Sequence, residues 1–306
     1  MVFKVDFNSS GKLLRDYLRG ACGISRSLLT KLKKLDSGIR LNGIPVTVRA
    51  VIKEGDIVEL ADADRAEDEN PYVKAGGELP EIVYEDSSLI ALNKPCGMPT
   101  HTSRGHTENC LANSVCAYFH EKGQPFVFRP INRLDRDTSG VVIVAKNKYF
   151  ASKLSASLQS GGFHKVYLAV LDGEVPESGI IEGYIKREEK SIIKRVMCQK
   201  DEEGAAYSLT RYERLGIGGG KSLVRAFPVT GRTHQLRLHF SFIGAPVCGD
   251  TLYGRQSDDI GRQALHALSL TFPAPSDGTA LTINARPSED IIKLIEKYSL
   301  IDIAGL

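Results

Sequence analysis

The sequence predicts an α+β protein in two parts, a small helix–helix–sheet module followed by a larger unit of mixed strands and helices. Three observations carry this. Two short amphipathic helical patterns and then turn-punctuated strands fill the first sixty residues. An acidic stretch without apolar period follows, ending in Gly-Gly and Pro. Beyond it, β-branched runs alternate with helical patterns and one Gly-rich hairpin.

In the front module, Leu14, Tyr17 and Leu18 share one helical face at the i, i+3, i+4 spacing. Ser25 is placed to cap a second helix that turns Leu28, Leu29 and Leu32 inward. Lys31, Lys33 and Lys34 leave its last turn, where cations also suit the helix dipole. Ile39 to Val46 is a hairpin around Asn42-Gly43, and Glu54-Gly55-Asp56 turns a further apolar stretch from Val48 to Leu60. Ala61 to Pro80 reads as a linker, so the expected division is 1–61, linker 62–80 and 81–306.

In the larger unit, Leu89 to Lys94 is a strand stopped by Pro95, and Leu111 to Phe119 a helix. Val141 to Ala145 is a continuous apolar run suited to a strand buried on both faces. Tyr149 to Leu158 is helical and ends at Gly161-Gly162. Val166 to Val170 alternates, with Tyr167 opposite Val166, Leu168 and Val170. Tyr207 to Leu215 and Ser222 to Val229 are strands joined through Gly216 to Gly220. Leu236 to Phe240 fits a strand or the start of a helix equally. Ser288 caps a C-terminal helix with Ile291, Ile292, Leu294 and Ile295 inside.

Composition narrows the function. With 306 residues, 42% hydrophobic and 25% charged, the chain is long enough and apolar enough to bury a core. No apolar run approaches the ~20 residues that cross a bilayer, and the start has no signal-peptide pattern. Six Cys without a C-x-x-C pair suggest reduced thiols and a cytoplasmic location rather than a zinc ribbon or dithiol site. The net charge is only +3, but residues 1–60 hold eleven Lys and Arg against six Asp and Glu. The basic excess is therefore concentrated in front, where a nucleic-acid contact would use it. Most basic helix ends are simply solvated, and that reading stays open on charge alone.

Several motifs are decoys or absences. Gly220-Lys221-Ser222 lacks the first glycine of a P-loop, since position 215 is Leu, and it runs into a strand. No H-E-x-x-H or G-x-S-x-G occurs, so zinc and serine-hydrolase chemistry have no support, and no metal site is expected. Three polar clusters remain. Arg133-Leu134-Asp135-Arg136-Asp137-Thr138-Ser139-Gly140 puts charges directly before a buried strand, where they need partners. Arg133 and Asp135, two apart, point the same way in extended geometry, and an Arg partner keeps a carboxylate ionised. A structural ion pair with a Thr-Ser-Gly turn fits that segment as well. Val229 to His239 offers a positive, hydrogen-bonding surface after a strand, and His164 to Val170 a half-buried strand carrying Tyr167.

Together these segments resemble the RluA-type pseudouridine synthase family, in its ribosomal large-subunit branch. The matching patterns are Asn93-Lys94-Pro95-Cys96-Gly97, Arg133-Leu134-Asp135 with Thr138-Ser139-Gly140, and Lys165-x-Tyr167-x-Ala169. Gly231-Arg232-Thr233-His234-Gln235-Leu236-Arg237, Gly249-Asp250-x-Leu252-Tyr253-Gly254 and Leu265-His266-Ala267 complete the set. They span about 81–275 in the family's order. One departure is Asn132, where the family often has His. The front module resembles the S-four-type RNA-binding module through Ser25-Arg26-Ser27, Leu41-Asn42-Gly43 and Glu54-Gly55-Asp56.

The resemblance implies a mainly antiparallel catalytic sheet with flanking helices, the pseudouridine synthase fold. It implies isomerisation of uridine to pseudouridine in RNA, ribosomal RNA before transfer RNA, by a monomer without cofactor. Asp135 would be the essential carboxylate, as nucleophile or as base and electrostatic stabiliser, and Arg133 would pair with it. Tyr167 would stack on the base and assist proton transfer, and Arg232 would bind a phosphate or the Asp135 side. Lys94 and Pro95 would line the RNA cleft, with Thr233, His234, Gln235 and Leu236 shaping the pocket. Arg26, Lys31, Lys33, Lys34 and Arg40 would contact RNA phosphates. The competing readings are a non-catalytic, ribosome-associated RNA-binding protein on the same fold and a glycoside hydrolase. The second lacks a companion carboxylate motif.

Overall fold

The structure, a computed structural model, describes residues 1–61, 68–102, 107–275 and 277–302. Its front module begins with β1 (Val2–Lys4), α1 (Leu14–Arg19) and α2 (Arg26–Leu32). Strands β2 (Ile39–Leu41), β3 (Ile44–Pro45) and β4 (Ile57–Leu60) complete it. The strands form one sheet in the order β1-β4-β2-β3. Leu14, Tyr17 and Leu18 of α1 and Leu28, Leu29 and Leu32 of α2 are buried against it. Ser25 caps α2 by accepting the Leu28 N–H at 3.2 Å.

The two turns of this module brace each other. Asn42 and Gly43 both have positive φ, 51° and 81°, as a two-residue type I′ hairpin requires. The Asn42 side chain accepts the Ile57 N–H at 2.8 Å and donates to Asp56 at 2.9 Å. Asp56 also accepts the Lys53 N–H. Only Ile57–Leu60 of the apolar stretch is a strand; Val48 to Ile52 runs beside the start of α1, accepting the Leu14 and Arg15 N–H groups at the Ala50 and Val48 carbonyls, 2.8 and 2.9 Å, next to a Leu13–Val51 bridge.

Of the expected linker, 62–67 lies outside the described residues. The rest carries no α-helix or strand, yet it is anchored. Lys31 pairs with Asp68, Glu69 accepts the Phe126 N–H at 2.6 Å, and Asn113 donates to the Lys74 carbonyl at 2.7 Å.

The large unit adds β5 (Ile82–Glu85), β6 (Leu89–Lys94), α3 (Leu111–Glu121), β7 (Ser139–Ala145), α4 (Lys148–Gln159) and β8 (His164–Leu171). It continues with β9 (Ser178–Arg187), β10 (Arg195–Cys198), β11 (Ala206–Gly218), β12 (Lys221–Pro228) and α5 (Gln235–Phe242). It ends with β13 (Leu265–Pro273), β14 (Ala280–Asn284) and α6 (Glu289–Lys297). These strands make one sheet in the order β10-β9-β11-β12-β8-β13-β7-β6-β5, with β14 beside β13. All pairings are antiparallel except β13 with β7. This is the expected α+β architecture with a mainly antiparallel sheet.

Strand β7 explains its own sequence. Val141, Ile143 and Ala145 face the cluster beneath α4, and Val142 and Val144 face the cluster beneath α3. Burial on both faces needs an unbroken apolar run, each large side chain contributing about 1.5–3 kcal/mol. At its start, Gly140 has φ 115°, and a Cβ there would lie 2.2 Å from the Ala267 carbonyl oxygen. Only glycine permits that parallel contact. Asn132 holds the entry to β7, accepting the Ile143 N–H and donating to the Val141 carbonyl, both at 2.9 Å. Its amide thus does the work of a strand partner, so the departure at this position anchors the loop rather than loosening it.

The Gly-rich hairpin is tighter than its composition suggests. β11 and β12 pair out to Gly218 and Lys221, so the turn is only Gly219-Gly220, both with positive φ. Lys221 pairs with Asp172, which leaves no phosphate-binding loop there.

Candidate active site

The loop between Asn132 and Ser139 carries Asp135 to the edge of the parallel β7–β13 junction. Four groups fix it. Thr100 brackets Leu134, donating to its carbonyl at 3.0 Å and accepting its N–H at 3.2 Å. Thr138 closes a turn by donating its N–H to the Asp135 carbonyl at 3.1 Å. Lys94 donates to the Arg136 carbonyl at 3.0 Å, and Arg262 to the Asp137 carbonyl at 3.1 Å. Arg262 is itself held by Asp290 at the start of α6.

Above Asp135 lies a cavity of about 320 Å³, in the range of small-ligand sites. It brings together residues scattered through the sequence. Asp135 and Arg133 come from the loop before β7, and Lys165 and Tyr167 from β8. Arg232, Thr233, His234, Gln235, Leu236 and Arg237 come from the β12–α5 turn and α5. Tyr167 pairs across the sheet with Ala226 of β12 and Ala267 of β13, which puts its ring at the sheet centre. Burial, and then the charge of Asp135, raise its phenol well above the ordinary tyrosine range.

The expected Arg133–Asp135 pair does not form. Arg133 is exposed, and the partner of Asp135 is Arg237, whose Nη1 stands 3.3 Å from Oδ2. The loop is a turn rather than an extended strand, so the two-residue spacing does not align the side chains. Arg237 is fixed from behind by Asp250, which is fully buried. Nε and Nη2 of Arg237 reach the two Asp250 oxygens at 2.6 and 2.8 Å. Asp250 also accepts the Leu252 and Tyr253 N–H groups at 3.0 and 3.1 Å. Gly249 before it has φ 74° and would place a Cβ 2.3 Å from the Arg262 carbonyl oxygen. The Gly-Asp-x-Leu-Tyr-Gly segment is therefore the support of Arg237.

The expectation for Lys94 and Pro95 needs correction, and those for Gln235 and Arg232 are narrowed to the cavity wall and to a phosphate contact. Lys94 does not line the cleft. It is fully buried, and its ammonium donates to the Pro95, Met98 and Arg136 carbonyls at 2.7–3.0 Å. Burial also pushes its pKa down, to about 7. Pro95, exposed beside it, lies off the cavity wall. Gln235 has no polar atom free for substrate. Its carbonyl accepts from Thr230 and the Arg232 N–H, and its amide donates to Leu209 and Thr210. Arg232 does not reach Asp135; it is exposed, and its Nε donates to the Tyr207 carbonyl at 2.9 Å.

The geometry is that of a carboxylate held by an arginine, sharing a cavity with a half-buried tyrosine, and known proteins share the chain that builds it. A family model described as RNA pseudouridylate synthase matches residues 88–242, which include Asp135, Tyr167 and Arg237. The chain belongs to this family. It is of the RluA type, and so an RNA isomerase. A Bacillus subtilis protein named uncharacterized RNA pseudouridine synthase YjbO is 33% identical over 279 residues, covering 90% of this chain and 96% of that one. The ribosomal large subunit pseudouridine synthase D of Zymomonas mobilis is 33% identical over 224 residues, 69% of this chain and 70% of that one. Among solved structures, human RNA pseudouridylate synthase domain containing 1 matches with TM-score 0.57 and 26% identity, covering 74% of this chain and 97% of that chain.

Within this pseudouridine synthase, sequence reasoning passed over Arg237, Asp250 and Tyr253 as site residues. The signal was present. Read as a helix, His234 and Arg237 lie one turn apart and face the same way. A strand would have turned them to opposite faces, and the residues alone suited both. Among the described residues no helix is long and apolar enough to cross a membrane, and no group of three His, Cys, Asp or Glu is placed to hold a metal ion.

Proposed function

We propose that this enzyme converts specific uridines of ribosomal RNA to pseudouridine, with Asp135 as the essential carboxylate. The observation that carries the reading is the fixed Asp135–Arg237–Asp250 chain opening on the cavity that holds Tyr167. The reaction breaks the bond from ribose C1′ to uracil N1, turns the base in place and joins C5 to C1′. The C5 proton leaves and N1 gains one, so nothing is oxidised and no cofactor is required. Asp135 acts on the sugar as nucleophile or as base, with Arg237 holding its carboxylate in place. A phenol raised as Tyr167 is remains protonated at neutral pH, so it packs on the base and donates a hydrogen bond rather than removing a proton. The uridine must leave its stack to arrive, at a cost of a few kcal/mol.

The rim supplies cations for the RNA backbone. Arg133 and Arg232 are exposed at the cavity, and Lys165 makes no ion pair among the described residues. The front module is read as the S-four-type RNA-binding domain. Arg26, Lys33, Lys34 and Arg40 are exposed and without ion pairs among the described residues, free to meet phosphates. Lys31, paired with Asp68, is the exception. The relative named for the ribosomal large subunit favours ribosomal over transfer RNA. The protein is taken to act as a cytoplasmic monomer.

The test uses large-subunit ribosomal RNA carrying 5-tritiated uridine. Wild-type protein should release tritium and leave pseudouridine at defined positions. Asp135→Asn should fall by at least ~10³-fold while keeping its fold. Wild-type turnover in that variant would sink the assignment of Asp135, and modification of transfer RNA alone would sink the choice of RNA.

A further inference from the structure

His234 stands before α5 in a left-handed conformation, φ 56° and ψ 18°, which few residues with a side chain adopt. The strain aims its ring between two partners. Nδ1 lies 3.0 Å from the Tyr253 hydroxyl, and Nε2 lies 3.7 Å from Oδ2 of Asp135. The same hydroxyl accepts the Arg195 N–H at 2.8 Å. Among the described residues the Tyr253 proton then has one acceptor in reach, Nδ1. A neutral imidazole carries its proton on one nitrogen only. With Nδ1 accepting, the proton is on Nε2, directed at Asp135.

The groups facing this ring are Asp135, Arg237, Arg195, Asp250 and the Tyr253 phenol. Burial lowers the His234 pKa most, Asp135 opposes that and Arg237 adds to it, so the ring is neutral at neutral pH. Nε2–H and Arg237 both approach Oδ2. Oδ1 of Asp135 has no hydrogen-bond partner among the described residues. Hydrogen bonds in a site of this kind are commonly long before substrate enters.

We propose that His234 is a positioning residue for Asp135, locked by Tyr253 as the Nε2–H imidazole, which holds Oδ2 and leaves Oδ1 to act on the uridine. This rests on the reaction proposed above and names which carboxylate oxygen performs it.

The tautomer is read directly. Full-length protein with ¹⁵N-labelled histidine, its His234 signals assigned by loss in His234→Gln, should show a protonated Nε2 and a bare Nδ1 near neutral pH. Tyr253→Phe removes the donor that favours the neutral ring. The His234 pKa should then rise, moving the acid limb of kcat to higher pH. Two amides separate positioning from strain. Asn tolerates the left-handed conformation better, but only Gln reaches the place of Nε2. Tritium release at saturating ribosomal RNA should be about tenfold faster in His234→Gln than in His234→Asn, with similar KM. A proton on Nδ1 in the wild type, or a faster Asn variant, overturns the proposal. The tautomer is read on free protein, so failure of the reaction shows separately, as wild-type protein that forms no pseudouridine.

Discussion

At the cavity, Asp135, Arg237 and Asp250 fix one another, and the deepest of them is fully buried with every oxygen engaged. On the front module, Lys33, Lys34 and Arg40 stand exposed with no ion pair among the described residues. The two regions carry charge for different ends. A carboxylate that must meet one atom of a sugar needs its direction set, and burial among opposite charges sets it. Cations that must meet a polyanion of variable path need only be free and solvated. Net charge alone hides this, because the site sets its charges against one another and the exposed cations stand uncompensated.

The comparison breaks most visibly at Asp250. Asp250→Ala leaves the Arg237 guanidinium buried without its bidentate partner, at a cost of about 3–5 kcal/mol. It also frees the Leu252 and Tyr253 N–H groups. Urea denaturation should show that loss, and tritium release should fall to near background because nothing holds Arg237 against Asp135. A variant within about 1 kcal/mol of wild type would mean that the pair is not a lock.

Asp250 also marks where sequence reasoning stopped. The α+β class, the hairpins, the buried β7 and every helix except α5 follow from period, caps and turn residues. β9, β10 and β14 do not: Gly179 and Gly183 interrupt the apolar pattern of β9, and β10 and β14, four and five residues long, are too short for a period to show. The position of Asp135 was legible from charges set before a buried strand. Its partner was not. Arg133 is near in sequence and Arg237 is near in space, and only the turn at 135–138 and the helical state of α5 decide between them. Lys94 was misread, and Gln235 shapes the wall without offering a polar contact, for one reason. A polar residue beside a site looks like a ligand until its hydrogen bonds are found satisfied inside the fold.

Salt dependence sharpens the other half of the comparison. Replacing Lys33, Lys34 and Arg40 together by Gln should weaken ribosomal RNA binding. It should also flatten the plot of log affinity against log salt by roughly 0.7–0.9 per lost phosphate contact. The rate at saturating RNA should hold, because none of the three lines the cavity. An unchanged slope would make these side chains a solvated surface and nothing more.

The seam between the two regions supplies a finer test. Tyr149 opens α4 of the large unit, yet its ring is buried in the core of the front module, 5.7 Å from Phe3 and edge-on. Its hydroxyl donates to the Cys22 carbonyl at 2.9 Å. Tyr149→Phe keeps the ring and removes that bond, so about 1 kcal/mol should be lost. If affinity and positioning are separate functions of separate regions, the loss is local. Amide exchange should quicken in α1 and α2 while β6 and β7 stay protected, and kcat should not change. Equal quickening in β7 would show that the module and the sheet open together. The front module would then be a structural part of the catalytic core, and its free cations would sit on the same cooperative unit as Asp135.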